Sequence, residues 1–182
     1  MDLAHVKHLD LSFNVNLTSK FYIELSSILT DEKCMLERLE LEGNKIGDKN
    51  LTILCAAVKS SPRLQFLNVS KCEITDKGAY MLAHLIRNSK SLEGVIAHYN
   101  RIMGSGGVAI ANAVAESVSL KTLDLSFNSI CGSGKFEPCP EEEEEETKEV
   151  KKDGKKVVKK EKKKKKKAGN NDLGGIGVPS LF

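Results

Sequence analysis

Apolar residues recur along this chain in one short phrase, apolar-x-x-apolar-x-apolar-x-x-Asn/Cys, which returns five times. The phrase runs from Val6 to Asn14, Leu36 to Asn44, Leu64 to Cys72, Leu92 to Asn100 and Leu120 to Asn128. Its closing polar residues are spaced 30, 28, 28 and 28 positions apart. In Leu9-Asp10-Leu11-Ser12 the alternation is that of a half-buried strand, with the leucines inward and Asp10 and Ser12 outward. Strands are therefore predicted near 8–12, 38–42, 66–70, 94–98 and 122–126. The closing Asn is expected to turn into the stack and bond backbone groups left unpaired by the turning chain. Leaving such groups bare costs about 1–3 kcal/mol each. Cys72 stands in for Asn in the third copy, where a small thiol tolerates burial.

Between these phrases the period changes to that of a helix. Ile74 to Ile86 puts Leu82, Leu85 and Ile86 on one face beside small Ala79 and Ala83, with Thr75 and Asp76 as N-terminal capping residues. Ile46, Leu51, Leu54, Cys55 and Val58 match this pattern in the second repeat, and Ile102, Gly106, Ile110, Ala111 and Val114 in the fourth. The first repeat carries Leu17, Phe21, Leu25, Ile28 and Leu29, with two extra residues before Leu36. Strand, turn and helix thus alternate with a fixed period.

A unit of about 28 residues with Asn-x-Ile and then Gly-Ala-x-x-Leu-Ala resembles the ribonuclease-inhibitor-like class of leucine-rich repeats. The resemblance covers residues 3–130, and Leu123-Asp124-Leu125-Ser126-Phe127-Asn128-Ser129-Ile130 is its sharpest copy. It implies a curved α/β solenoid with a parallel sheet on the concave face and helices on the convex face, used as a protein-binding scaffold. The class includes ribonuclease inhibitors, nucleotide-binding innate-immune receptors, Ran GTPase-activating proteins, actin-regulatory proteins and ciliary and flagellar structural proteins. Repeat class alone does not choose among them.

Composition changes sharply near the end of the array. The expected organisation is a leucine-rich-repeat domain over 1–135, of five strands and four full repeats, and a low-complexity acidic-then-basic tail over 136–182. Glu141 to Glu146 is an unbroken acidic run. Residues 147–167 then hold thirteen lysines against Glu149, Asp153 and Glu161, a local net of +10, whereas residues 1–140 are balanced at fifteen charges of each sign. With so little apolar content the tail is expected to be disordered. Its lysines Lys155, Lys156, Lys159, Lys160 and Lys162, Lys163, Lys164, Lys165, Lys166 and Lys167 form a polyanion-binding candidate. The same run resembles a nuclear-localisation signal, and a solubilising tail is the bland alternative. No aromatic residue interrupts the lysines, which gives base stacking no support.

The ends of the array carry a second expectation. The first strand begins within a few residues of Met1, and Cys131 to Pro138 replaces the helix due after Ile130. Either the chain is a truncated form of a longer repeat protein, or neighbouring proteins cover both ends. No apolar run approaches the roughly 20 residues of a membrane span, and no signal-peptide segment opens the chain, so a soluble intracellular protein is expected. Its five cysteines fall in no paired framework and are expected to be reduced.

A search for catalytic chemistry finds none. His5 and His8 lack a carboxylate or cysteine set at metal spacing. Gly104-Ser105-Gly106-Gly107 lacks the Lys-Ser/Thr of a phosphate loop and repeats the position of Gly78, which points to helix packing. No cofactor and no enzymatic activity are expected.

Partner binding is expected instead on the outward strand positions and their rim, at Asp10, Arg38, Glu40, Glu42, Phe66, Asn68, Ile96, His98, Tyr99 and Asp124. Phe13 and Phe127 also follow strands, and for these packing between adjacent turns is favoured. The expected function is a non-catalytic interaction scaffold in a larger cytoplasmic assembly, cytoskeletal or ciliary as the most specific form. Its protein partners would meet the concave face and uncapped ends, with an acidic filament or nucleic acid at the lysine tail and no membrane. A regulator of a small GTPase, in the manner of the Ran GTPase-activating proteins, or of another signalling enzyme is the alternative, although the Ran GTPase-activating proteins have about twice as many repeats.

Overall fold

A computed structural model of the chain describes residues 5–131 and the two strands Thr147–Lys152 and Lys155–Lys160. Strands and helices alternate: β1 His8–Asp10, α1 Ser19–Leu29, β2 Arg38–Glu40, α2 Gly47–Ser60, β3 Phe66–Asn68, α3 Asp76–Asn88, β4 Gly94–Ile96, α4 Gly104–Glu116 and β5 Thr122–Asp124. The five strands form one parallel sheet in sequence order, and the register repeats without slippage. His8, Arg38, Phe66, Gly94 and Thr122 therefore share one column, and Asp10, Glu40, Asn68, Ile96 and Asp124 another. This is the curved α/β solenoid expected from the repeats.

The core fills the space between sheet and helices. Leu39, Leu67 and Val95 stack in one inward column, Leu41, Val69 and Ala97 in the next, and all six are fully buried. Their counterparts in the outer strands, Leu9, Leu11, Leu123 and Leu125, are only partly buried, because each has a neighbour on one side. Helices α2 and α3 supply the apolar residues expected of them, including Leu51, Leu54, Val58, Leu82, Leu85 and Ile86.

Two helices depart from expectation. In α1 the fully buried aromatic is Tyr22, while Phe21 is partly buried and packs edge-on against it. In α4, Ala111 and Val114 are exposed, and Ile110 and Ala113 carry the packing. The corresponding Cys55 and Val58 are buried because another helix covers that flank of α2. Among the described residues α4 has a helical neighbour only in α3, and the flank holding Val114 has none.

The strands proper span three residues each, but the inter-repeat pairing continues past them. Leu11 N donates to Glu40 O (2.9 Å), Leu41 N to Asn68 O (2.9 Å) and Val69 N to Ile96 O (2.8 Å). One step on, Phe13 N donates to Glu42 O (2.6 Å), Gly43 N to Ser70 O (2.9 Å), Lys71 N to His98 O (3.0 Å) and Tyr99 N to Ser126 O (3.1 Å).

The chain divides into two units, Met1–Cys139 and Pro140–Phe182. In the second unit the sequence leads one to expect no structure, yet β6 Thr147–Lys152 and β7 Lys155–Lys160 pair as an antiparallel hairpin. The register leaves two residues between Lys152 and Lys155, and the sequence there is Asp153-Gly154, a dipeptide that favours two-residue hairpin turns. Valines at 150, 157 and 158 add β propensity. The acidic run Glu141 to Glu146 and the lysines 162–167 lie outside the described residues.

Candidate functional site

The turn after each strand is held by a polar ladder. Asn44 Nδ2 donates to Leu11 O (2.9 Å) in the preceding repeat and to Leu41 O (2.8 Å) in its own. Asn100 does the same toward Val69 O and Ala97 O (3.0 Å each), while its Oδ1 accepts from Cys72 N (2.9 Å) and Ile74 N (3.1 Å). Asn128 donates to Ala97 O and Leu125 O (2.9 Å each) and accepts from Ile102 N (3.2 Å). Cys72 keeps part of this role: its thiol lies 3.3 Å from Leu41 O and 3.1 Å from Ser70 O. Burial pushes that thiol up to about 12, opposed by the backbone amides of Asn44 and Gly43. Asn44 Oδ1 accepts no hydrogen bond among the described residues. Toward the first repeat, which is two residues longer than the others, the ladder keeps its donor half at Leu11 O and lacks its acceptor half.

The ladder fixes the residue just before each Asn or Cys in the left-handed region. Phe13, Gly43, Lys71, Tyr99 and Phe127 have φ of 60°, 72°, 53°, 52° and 56°. Their positions form one column along the rim of the sheet. Glycine is the least costly residue in such a conformation, and a bulky side chain there costs on the order of 1–2 kcal/mol. Only the second repeat uses glycine. Phe13 and Phe127, expected from the sequence to pack between adjacent turns, each touch the neighbouring turn, at Gly43 and Tyr99, yet stand 63% and 68% exposed, and Tyr99 is 50% exposed.

Contacts run along this column. The Phe13 ring lies across Gly43, where a Cβ would collide with it. Tyr99 and Phe127 stack face to face, with ring centroids 4.2 Å apart and planes 5° apart. Lys71 Nζ sits 5.6 Å from the Phe13 ring and 5.5 Å from Tyr99, and Glu42 Oε1 holds it at 2.7 Å. The result is a continuous aromatic and cationic rim across five repeats. His98 meets Tyr99 edge-on at 5.4 Å.

On the adjoining sheet face, Arg38 places its guanidinium 3.6 Å above the Phe66 ring, and its Nε donates to Glu40 Oε1 (2.6 Å). The Phe66 ring in turn lies over Gly94, whose missing side chain makes the room: a Cβ there would sit 2.6 Å from Phe66 Cδ2. Asp10 and Asp124 bracket this cluster. Asp10 Oδ1 accepts from Ser12 N (2.9 Å) and Asp124 Oδ1 from Ser126 N (2.8 Å). Hydrogen bonds from Ser12 and Ser126 hold both carboxyls below their ordinary value, with smaller contributions from His8 and His98.

Every sequence-predicted binding residue of the repeat array thus falls on this face or rim, in differing states. Arg38, Glu40 and Phe66 form one cluster and Glu42 reaches the rim through Lys71. Ile96 and His98 are half-buried, and Asn68 is buried with its Oδ1 accepting from Ser70 N (3.0 Å). Lys71 and the exposure of Phe13 and Phe127 were missed from sequence. The signal lay in the alignment of residues 13, 43, 71, 99 and 127, each one place before the turn Asn or Cys. Of the tail lysines, Lys155, Lys156, Lys159 and Lys160 belong to β7, and 162–167 lie outside the described residues.

Gly106 meets Asp76 and Ala79 of the preceding repeat, as expected for a packing glycine. No group of three or more His, Cys, Asp or Glu side chains that could hold a metal ion occurs among the described residues. Among them, no helix is long and apolar enough to cross a membrane.

A family model described as Leucine Rich repeat matches residues 2–20, 32–52 and 60–83, and a second, Leucine Rich Repeat, matches 119–140. No curated protein matches the chain. Among solved structures, the chain is similar to one titled Leiomodin-1 Actin-Binding Site 2 (ABS2), at 16% identity and a TM-score of 0.42. The match covers 73% of this chain and 60% of that one.

Proposed function

We propose that this chain, a leucine-rich repeat protein, acts as a non-catalytic scaffold that recognises a protein partner with the concave sheet face and its aromatic rim. The observation carrying this reading is the rim column itself. Three aromatic side chains occupy left-handed backbone positions and remain half-exposed or more, so burial in the fold does not offset their conformational cost. Large aromatic side chains beside partly desolvated charges are the usual anchors of protein interfaces. The 28-residue period and the Gly-Ala-x-x-Leu-Ala helix start support the ribonuclease-inhibitor-like class.

The more specific form of the reading is a subunit of a cytoskeletal or ciliary assembly. The lysine block supports it, because a local net of +10 over 147–167 suits an acidic filament. Flexible lysines supply attraction rather than geometric reading, which leaves specificity to the repeat face.

The test is co-purification of the native chain with its partners, identified by mass spectrometry, beside Phe66→Ala and Tyr99→Ala. A partner retained by the wild type and lost from both variants is expected. Retention by both variants would remove the face from the interface. Accelerated GTP hydrolysis by a small GTPase on adding the purified chain would favour the regulatory alternative.

A further inference from the structure

The first and fifth repeats share the hexapeptide Leu-Asp-Leu-Ser-Phe-Asn, at residues 9–14 and 123–128. The two copies fold alike. In each, the Asp carboxylate accepts from the Ser amide two residues on. In each, the Asn amide donates to the carbonyl of the second Leu at 2.9 Å. The Phe between them is left-handed and more exposed than any other aromatic residue among those described. The three middle repeats carry Glu40, Asn68 and Ile96 in the Asp column and Gly43, Lys71 and Tyr99 in the Phe column. A carboxylate and an exposed phenyl ring therefore recur as a pair only in the two outer repeats.

In the middle of the same face, a carboxylate of one strand and a ring of the next hold one guanidinium between them. Arg38 lies flat on Phe66 at 3.6 Å and hydrogen-bonds Glu40 at 2.6 Å, so one guanidinium satisfies a ring and a carboxylate together. Glu40 and Glu42 are thereby matched by Arg38 and Lys71. Asp10 and Asp124 form no ion pair with lysine or arginine among the described residues; His8 and His98 are the basic groups that influence them, and Lys71 is the cation near Phe13. The unmatched charge on the face is negative and sits at its two ends.

We infer that the two Leu-Asp-Leu-Ser-Phe-Asn corners are matched subsites for guanidinium groups, and that the partner presents an extended segment with two arginines about six residues apart. This rests on the scaffold reading and specifies its partner. Four strand spacings of about 4.8 Å separate β1 from β5, roughly 19 Å, and an extended chain covers this in about six residues at about 3.3 Å each. A planar guanidinium stacks flat on a ring while donating to a carboxylate, as Arg38 does at 3.6 Å from Phe66; an ammonium pairs with its carboxylate but stays farther from the ring, as Lys71 does at 5.6 Å from Phe13 and 5.5 Å from Tyr99.

The experiment measures fluorescence anisotropy of the full chain with a labelled 12-residue Gly/Ser peptide carrying arginines at positions 3 and 9. Controls are the same peptide with lysines and one with a single arginine. Two double variants accompany the wild type, Asp10→Asn with Phe13→Gly and Asp124→Asn with Phe127→Gly. Asn keeps an acceptor for the Ser amide, and Gly accepts the left-handed backbone, so both should fold. The two-arginine peptide is expected to bind about tenfold more tightly than the lysine peptide, with each double variant losing about tenfold. Equal affinity for the arginine and lysine peptides, a comparison needing only wild-type chain, would overturn the proposal. An arginine preference that survives in both variants would overturn it too, and would assign the binding to the Glu141 to Glu146 run present in every sample. Either failure leaves the scaffold reading to its own test at Phe66 and Tyr99.

Discussion

Asn100 joins two turns of the stack through one carboxamide: its Oδ1 serves two amides of the third repeat, and its Nδ2 serves carbonyls of the third and fourth. Replacing it with leucine would leave these backbone groups bare in a buried site. Asn100→Leu is expected to cost about 3–5 kcal/mol, read from the midpoint of chemical denaturation. An unchanged midpoint would show that water or a shifted turn satisfies the same groups. The role of this Asn was legible from sequence, because an amide recurring at the close of an apolar phrase must find backbone partners in the turn. The partial role of Cys72 was less so. Its thiol reaches the Leu41 and Ser70 carbonyls, but sulfur is a weak acceptor and does not replace Oδ1.

At the scale of the element, the starts of α3 and α4 are each completed by the repeat before them. Asp48 in the first turn of α2 accepts from Thr75 N (2.9 Å), Thr75 Oγ1 (2.6 Å) and Gly78 N (3.0 Å) at the start of α3. Asp76 does likewise for α4, accepting from Met103 N (2.6 Å) and the Ser105 hydroxyl. Met103, the N-cap of α4, makes no side-chain capping bond of its own, so Asp76 supplies the cap from outside. Asp76→Ala should therefore destabilise the fold by about 1–2 kcal/mol, with Asp76→Asn recovering part of it in thermal melts. A loss equal in both variants would make charge, rather than hydrogen bonding, the dominant contribution. Thr75 and Asp76 read from sequence as caps for their own helix, and Thr75 is one. Gly104 stands 28 residues after Asp76, and the relay of carboxylates stops at α4.

Across the whole repeat array, burial is unequal. The inward leucines of β2 and β3 and Val95 of β4 are fully buried, whereas Leu9 and Leu123 are only partly so. A solenoid is stabilised by nearest-neighbour interfaces, so repeats with one neighbour open first. Hydrogen exchange should find the amides of β2, β3 and β4 protected longest, with β1 and β5 exchanging at least tenfold faster (about 1.4 kcal/mol). Equal protection of all five strands in a demonstrated monomer would mean that the array covers its own ends.

The 28-residue period, the parallel sheet, the inward leucines and the turn Asn follow from the sequence alone, because each is a local rule repeated in register. The outward positions follow too, since side chains on a strand alternate. What sits against what did not follow. Arg38 on Phe66, Phe66 over Gly94, Lys71 between Phe13 and Tyr99, and Tyr99 on Phe127 join residues about 28 to 58 positions apart. Only the strand register brings them within contact. The exposure of Phe13 and Phe127 likewise depended on a left-handed turn that the ladder imposes and that no single phrase displays. Val114 and Val58 occupy the same place in the repeat, and only the helix packed beside α2 and absent beside α4 among the described residues makes one buried and the other exposed. A repeat specifies its own fold, while its neighbours decide which of its side chains remain available to a partner.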